Sequence, residues 1–443
     1  MTAIGFIALA RPTFDVALAN QLREQGWLTL TNAGFQLVGP DELVMTIEGV
    51  EHTLRLMSIV RPEVLVVMQA SFTDASLLLN LVEMARLPVL LWAVPEAPSG
   101  GRLRLNSFGG LNLAAHSLKR LGAYYEVVYA LPTASTVVEK VRTMSKVAAV
   151  CRQLYGTRVG RIGDNAAGYT NALVNYEALQ IHLGISIEQI ELGEVFHEAR
   201  AADPKLVGLL TEQMQRDLVG LEGVDQRAVF GTLSLYAALR KLVDRYAVAG
   251  LAVRTAPEVF TELACTADGA LALLNNEFIP CNADVDVNNV ITQLVLQWIS
   301  DKPATSVEMV QFDHQQGAIL LWHAGHAPLS MADPLMQPRA SVHPQRQLPL
   351  LMEFALKPGR VTLARLSETT GSFRLVISTG EMLQMPMETI GTVGMLRPDS
   401  GCEAVMNTVL SEGIEPQFAL TYGDHAERLL TMASMLGLAT LRL

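Results

Sequence analysis

Two aspartates in the stretch PCNADVDVNN carry the strongest chemical signal of the sequence. Asp284 and Asp286 stand between the apolar run GALALLNNEFI and a second apolar run, VITQLVLQWI. A carboxylate among core-like segments is costly to bury unless a partner uses its charge. Asp284 follows a predicted strand and precedes a predicted helix, and α/β proteins place binding sites in such loops. We therefore expect Asp284 to face a ligand, whereas Asp286 could simply cap the helix.

Three further side chains in the last third of the chain could join Asp284 in one site. Glu308 alternates with apolar neighbours in SVEMVQF, so a strand would turn it to the face opposite them. His323 ends the apolar strand of LLWHAGHAP, and His425 lies at a predicted helix start in TYGDHAERLL. Each has an ordinary alternative: a solvated glutamate, a structural histidine and a residue of a first helical turn.

Taken together, these residues supply carboxylate oxygens and imidazole nitrogens. Such a mixed donor set suits Mn²⁺, with Mg²⁺ or Co²⁺ as alternatives. The four cysteines show no CxxC pairing, so the sequence predicts neither a thiolate zinc site nor a disulfide framework. Scattered, unpaired cysteines are typical of a reducing cytoplasm.

Composition limits the class of protein and its partners. The chain has 443 residues, of which 50% are hydrophobic and 17% charged, and this predicts a folded protein of more than one domain. A net charge of −11 disfavours nucleic acid and anionic membranes as partners. No uncharged apolar run is long enough to span a membrane. The segment MTAIGFIALARPTFD lacks a basic lead and predicts a first strand instead of a signal peptide, so we expect a cytoplasmic protein.

The hydrophobic pattern predicts three domains. Wholly apolar strands alternate with helices over residues 1–145 and again over 146–303, which indicates two doubly wound α/β domains with parallel sheets. The helix of FDVALANQLREQGW is predicted to end at Gly26. Strands separated by Gly and Pro turns dominate residues 304–443 and predict a mostly antiparallel, barrel-like β domain with one closing helix and a short strand. Asp284 would then lie at the seam between the second and third domains.

Several segments resemble the L-fucose isomerase and L-arabinose isomerase superfamily, and the chain is most similar to the shorter members of that group. The resemblance implies an Mn²⁺-dependent aldose–ketose isomerase that acts on an open-chain sugar through an enediolate. It also implies a homo-oligomer, a trimer or hexamer. The segments that carry it are GRLRLNSFGGLNLAAHSLKRLG, IPCNADVDVNNVITQLVLQWISDKP, LLWHAGHAP, KPGRVTLARLS and LTYGDHAERLLTMASMLGL.

The resemblance also implies roles for individual residues. Asp284 and Glu308 would hold the metal and act as acid and base, with His323 and His425 as further metal ligands. Substrate contacts would come from Arg102, Asn106 and Gln417.

Departures from the family pattern leave a second interpretation open. Asp284 stands where Glu is usual, Glu308 where the fucose branch has Asp, and Gln417 near the position of the arabinose branch's second histidine. The alternative is therefore a sugar-binding or regulatory relative that has lost the chemistry. The sugar is not identified, although Arg102 and Arg104 could meet an anionic one, sulfonated or phosphorylated; their loop could equally be a structural connection.

Overall fold

The structure is a computed structural model that describes residues 2–98 and 100–443. It divides the chain into two compact units, one ending at Arg152 and the other covering Gln153–Leu443. The predicted domain limits near residues 145 and 303 stay predictions. No helix in the described ranges is long and apolar enough to cross a membrane.

The first unit is a parallel five-stranded sheet in the order β2-β1-β3-β4-β5, with helices between the strands. β3 and β4 are buried throughout, as expected for strands covered on both faces. The strands are β1 (Ala3–Leu9), β2 (Gln36–Val38), β3 (Val64–Gln69), β4 (Val89–Ala93) and β5 (Tyr125–Tyr129). The helices are α1 (Val16–Asn32), α2 (Ile47–Ile59), α3 (Ser76–Ala85), α4 (Ser107–Leu121) and α5 (Ser135–Leu154), the last of which runs into the second unit.

Helix α1 corrects one prediction, because it continues past Gly26 to Asn32. Gly26 is buried in the middle of the helix, where an added Cβ would lie 2.8 Å from the methyl of Met68 and 2.9 Å from the ring of Trp92. The glycine therefore permits close packing of the helix on the sheet and does not end the helix.

The second unit begins with a parallel four-stranded sheet in the order β7-β6-β8-β9. Its strands are β6 (Arg158–Ile162), β7 (Ser186–Ile190), β8 (Leu251–Val253) and β9 (Cys281–Asn282). Its helices are α6 (Tyr176–Leu183), α7 (Leu192–Arg200), α8 (Pro204–Asp217), α9 (Gln226–Tyr246), α10 (Glu258–Leu263), α11 (Asp268–Asn276) and α12 (Val287–Ser300).

The rest of the second unit is a nine-stranded sheet, six strands of which close into an antiparallel barrel in the order β16-β11-β10-β17-β14-β15. This confirms the predicted fold class, although this part of the chain has two helices where the sequence pattern predicted one closing helix. The strands are β10 (Thr305–Asp313), β11 (Ala318–His323), β12 (Arg339–Ser341), β13 (Leu351–Ala355), β14 (Gly359–Ser367), β15 (Arg374–Leu383), β16 (Thr392–Pro398), β17 (Gln417–Tyr422) and β18 (Ala439–Arg442). The helices are α13 (Cys402–Ser411) and α14 (Ala426–Leu436).

Helix α12 links the parallel sheet to the barrel. It packs against β6 and β8 on one side and against β14 and β17 on another, and nearly all of its side chains are buried. Because β9 ends at Asn282 and α12 begins at Val287, the short connection 283–286 lies where the two sheets of this unit meet.

Candidate active site

The connection between β9 and α12 holds Asp284 in an unusual backbone conformation. Asp284 has φ 67° and Val285 has φ 60°, a left-handed region that is rare for residues other than glycine and rarest for β-branched ones. Asp286 closes the loop by capping α12: its Oδ1 accepts a hydrogen bond from the backbone N–H of Asn289 at 2.9 Å. Its carbonyl accepts from Asn282 Nδ2 at 2.8 Å. Conformations of this kind persist where the surroundings enforce them, and they cluster at functional sites.

Three of the predicted site residues come together beside this loop. Glu308 in β10 lies directly opposite Gln417 in β17 in the strand register. The Gln417 amide Nε2 donates to Asp284 Oδ2 at 3.2 Å and to Glu308 Oε1 at 3.4 Å. The amide oxygen Oε1 of Gln417 is buried and has no partner. One amide thus joins two carboxylates from distant segments and leaves an oxygen free for a ligand.

Burial sets the electrostatics of the two carboxylates. It raises the pKa of Asp284, and the nearby charge of Asp286 adds to that rise. It also raises the pKa of Glu308, where the charge of Asp284 acts in the same direction. The hydrogen bond from Gln417 opposes both shifts, because it stabilises the charged forms. Carboxyl groups whose pKa values are shifted by burial and by specific partners are common at sites of proton transfer.

A second group of ligand-type side chains comprises Asp268, His323 and His326. Their ligand atoms all lie within 4.8 Å of one another, and all three residues are buried. The two imidazole rings are 3.5 Å apart between centroids. The predicted ligand His323 therefore belongs to this group, which could hold a metal ion. The charge of Asp284 raises the pKa of Asp268, so the group lies within electrostatic reach of the carboxylate pair.

The histidines of this group are neutral at physiological pH. Burial lowers the pKa of His323 well below its usual value and that of His326 to about 4. His326 Nε2 lies 3.2 Å from the carbonyl oxygen of Ser306 and donates a hydrogen bond to it. Nδ1 is then the unprotonated nitrogen; it is buried, has no hydrogen-bond partner and has a lone pair available for a metal ion. Burial raises the pKa of Asp268 to about 6. Neutral imidazoles and a carboxylate are the forms that bind metal.

Sequence reasoning missed Asp268 and did not assign His326 a role. The His-x-x-His spacing of His323 and His326 was a signal that could have found the second histidine. Asp268 begins α11, more than fifty residues upstream, and only the tertiary fold brings it to the histidines.

The structure does not bring His425 to either group. It lies beyond the carboxyl end of β17, whereas Gln417 begins that strand, so the length of the strand separates them. Its backbone N–H donates to Thr362 Oγ1 at 3.0 Å, and its Nε2 lies 3.2 Å from the carbonyl oxygen of Tyr422. These contacts anchor His425 at the junction between β17 and α14.

The two remaining predicted residues, Arg102 and Asn106, belong to the first unit. Arg102 is exposed and donates from Nη2 to the carbonyl of Thr13 at 2.9 Å. Asn106 precedes α4 in a left-handed conformation, and its backbone N–H donates to Glu96 Oε2 at 2.9 Å. Glu96 also accepts from two preceding backbone N–H groups of the same loop, so a single carboxylate orders the loop.

Comparisons with known proteins agree with this architecture. Residues 5–158 match the fucose/sulfoquinovose isomerase N-terminal domain, and residues 352–442 match the L-fucose isomerase C-terminal domain. Sulfoquinovose isomerase of Priestia aryabhattai is 26% identical over 99% of this chain and 98% of its own length. The enzymes of that name from Alkalicoccus urumqiensis and Clostridium sp. (strain MSTE9) are 27% and 26% identical, over 96% and 98% of this chain and 95% and 98% of their own lengths.

The fold and the matches define a sugar isomerase, an aldose–ketose isomerase by class. The chain belongs to the fucose isomerase-like family, which confirms the resemblance seen in its sequence.

Proposed function

We propose that the protein is a divalent-metal-dependent aldose–ketose isomerase whose substrate is sulfoquinovose or a closely related sulfonated aldose. The observation that carries the proposal is the meeting of Asp284 and Glu308 at the amide of Gln417, which puts two carboxylates with raised pKa values at one place. The relatives named sulfoquinovose isomerase, matched along nearly the whole chain, support the substrate class.

Mn²⁺ is the proposed cofactor, with Mg²⁺ or Co²⁺ as alternatives. Asp284 and Glu308 offer carboxylate oxygens and Gln417 an unpartnered amide oxygen, and hard cations of this kind prefer oxygen ligands. His425 is left out of the proposed ligand set because of its place beyond the end of β17. His323 contributes through the Asp268–His323–His326 group, a second, nitrogen-rich candidate for a cation.

The chemistry needs a proton removed from C2 of the open-chain sugar and one delivered to C1. A bound divalent cation supplies Lewis-acid polarisation of the sugar oxygens and stabilises the charge of the enediolate. Asp284 and Glu308 take the roles of base and acid; burial raises their pKa values in the metal-free protein, and a carboxylate that held the cation would stay ionised, the form that a base needs. Gln417 holds both carboxylates through its amide nitrogen, and its amide oxygen can accept a hydrogen bond from a sugar hydroxyl where it does not bind the cation.

Recognition of a sulfonate calls for a cation and hydrogen-bond donors. Arg102 remains a proposed substrate contact because a guanidinium pairs well with oxyanions and this one is exposed. Asn106, in the same loop, remains a proposed contact for a sugar hydroxyl. Replacing Arg102 should therefore raise KM strongly for sulfoquinovose and only slightly for a neutral aldose.

A cytoplasmic homo-oligomer, a trimer or hexamer, completes the proposal. All four cysteines are free, which suits a reducing compartment. The net charge of −11 argues against nucleic acid and anionic membranes as partners.

The test is hydrogen exchange at C2. Metal-stripped protein is incubated with sulfoquinovose, glucose, fucose or arabinose in deuterated water, with and without Mn²⁺, and label and ketose are followed by NMR. The expected result is Mn²⁺-dependent label in sulfoquinovose. Label or ketose without metal overturns the metal dependence, and label or ketose from neutral sugars alone overturns the substrate. Absence of both label and ketose with every sugar and Mn²⁺ bound overturns the isomerase.

A further inference from the structure

We infer that Arg365 is a positioning residue that holds both the Asp284 loop and Gln417 in the geometry the isomerase needs. The inference rests on the proposed function and deepens it. Arg365 lies in β14, and its side chain is fully buried in the second unit. Burying a guanidinium costs free energy unless partners compensate its charge, so the groups that Arg365 contacts indicate which parts of the site it holds in place.

The contacts of Arg365 lead to both parts of the carboxylate group. Its Nη1 donates to Asp286 Oδ2 and to the carbonyl oxygen of Gln417, the latter at 3.2 Å. Asp286 is also fully buried, and it is two residues from Asp284 in the same loop. One guanidinium nitrogen thus joins the loop that carries Asp284 to the backbone of the residue that bonds both carboxylates.

Two further contacts fix the guanidinium itself. Nη2 donates to the carbonyl oxygen of Asn171 at 3.3 Å, and Nε lies 3.8 Å from Glu415 Oε2. Glu415 is buried and lies two residues before Gln417. Nε makes no hydrogen bond, so its contact with Glu415 is electrostatic only. The hydrogen bonds from Nη1 and Nη2 hold the side chain, and a change of rotamer would break them.

The backbone of the Asp284 loop explains why such an anchor is needed. Asp284 and Val285 both have positive φ, a conformation that relaxes unless the surroundings enforce it. Asp286 holds the C-terminal end of this loop by capping α12, and the ion pair with Arg365 holds the Asp286 side chain in place. A reacting group that moves by about 1 Å can lose roughly 100-fold in rate. Loss of Arg365 should therefore reduce turnover more than substrate affinity.

The experiment compares two Arg365 variants with a matched control. R365K keeps the positive charge but cannot reach all the partners, and the double variant R365M/D286N removes the ion pair without leaving a buried charge on Asp286. The control is R374M in the neighbouring strand β15: Arg374 is also largely buried, and its ion pair with Glu412 at 2.6 Å does not touch the site. Folding is checked by circular dichroism, and kcat and KM for sulfoquinovose are measured with Mn²⁺.

The expected result is a kcat lowered roughly 10- to 100-fold in both Arg365 variants, KM within about threefold, and near wild-type values for R374M. Wild-type kcat in R365K and in R365M/D286N overturns the inference, and so does an equal loss in R374M. A wild type without activity on any aldose overturns the proposed function instead. In that case the crystal structure of R365K decides: an unchanged contact between Gln417 and Asp284 shows that Arg365 does not position them.

Discussion

The side-chain amide of Gln417 lies 3.2 Å from the carboxylate of Asp284, although 133 residues separate the two in the sequence. The same amide nitrogen lies 3.4 Å from Glu308 in the opposite strand. A neutral donor between two carboxylates stabilises their charged forms without adding a charge of its own. Gln417 therefore opposes the effect of burial on both carboxyl groups. It stands near the position where the resemblance to the arabinose branch implies a histidine.

Replacing Gln417 by leucine should move the pH dependence of the reaction. The hydrogen bond from Gln417 lowers the pKa of both Asp284 and Glu308, so its loss raises both. Each group is then protonated at a higher pH than in the wild type, and the acidic limb of the kcat/KM profile should shift to higher pH. The profile for sulfoquinovose, measured from pH 5 to 9 at an Mn²⁺ concentration below saturation, where protons compete with the cation for both carboxylates, checks this.

The control for Q417L is Q311L, which changes an exposed glutamine of β10 in the same barrel. It should leave the acidic limb where it is. A Q417L profile that only drops in height, with an unmoved acidic limb, would show that the amide does not set the protonation of the pair.

Removing either carboxylate charge should nearly abolish turnover. D284N and E308Q each take away an acid–base group and a proposed oxygen ligand, and losses of roughly 10²- to 10⁴-fold in kcat are typical for such groups. Mn²⁺ affinity should fall in parallel, which isothermal titration can measure. E381Q, an exposed change on β15, is the matched control and should retain activity. Full activity in E308Q would remove Glu308 from the mechanism.

The parts of this fold that local signals determine were predictable. The apolar run AIGFIALA predicted the first strand, confirmed as β1. VNNVITQLVLQWI predicted a helix that Asp286 could cap, and Asp286 does cap α12. In both cases the deciding interactions lie within a few residues, namely apolar periodicity and a side chain bonded to a nearby backbone N–H.

Predictions failed where tertiary packing decides. Gly26 looked like a helix end, but the close approach of Met68 and Trp92 explains a glycine inside the helix. The structure places His425 at the opposite end of β17 from Gln417, a separation that positions along the sequence do not show. The group of Asp268 with His323 and His326 forms only when α11 and β11 meet, which no local pattern records.

The Asp268–His323–His326 group should bind a divalent cation through its own residues. Two imidazoles and a carboxylate suit Zn²⁺, Mn²⁺ or Co²⁺. We expect D268N and H326Q to lower the metal content of protein purified with added Mn²⁺ or Zn²⁺, as measured by inductively coupled plasma mass spectrometry. Metal uptake should also weaken below about pH 6, because the pKa of Asp268 is about 6 and protons then compete for its carboxylate.

For that measurement H314Q, which alters an exposed histidine, is the control and should keep the wild-type metal content. Equal metal content in the wild type, D268N and H326Q would show that the group holds no cation. A loss in E308Q but not in D268N would assign the bound metal to the carboxylate pair alone.

Metal-free protein should lose stability in acid through His326. Its pKa falls from 6.5 to about 4 on folding because the ring is buried, so the unfolded chain takes up a proton first as the pH falls. Its contribution is complete above pH 6.5 and is lost progressively between pH 6.5 and 4. The linkage relation gives about 2 kcal/mol between pH 7.5 and pH 5 for this single group.

Replacing His326 by leucine removes that titration, whatever the replacement does to packing. The free energy of unfolding of H326L, relative to the wild type, should therefore rise by about 2 kcal/mol between pH 7.5 and pH 5. Urea unfolding of the two metal-free proteins at both pH values measures it, with H314Q as an exposed-histidine control that should show almost no change. A constant difference between H326L and the wild type would mean that His326 titrates normally. His326 would then be accessible to water in the folded protein. That result would contradict the buried, neutral imidazole proposed for the Asp268–His323–His326 group.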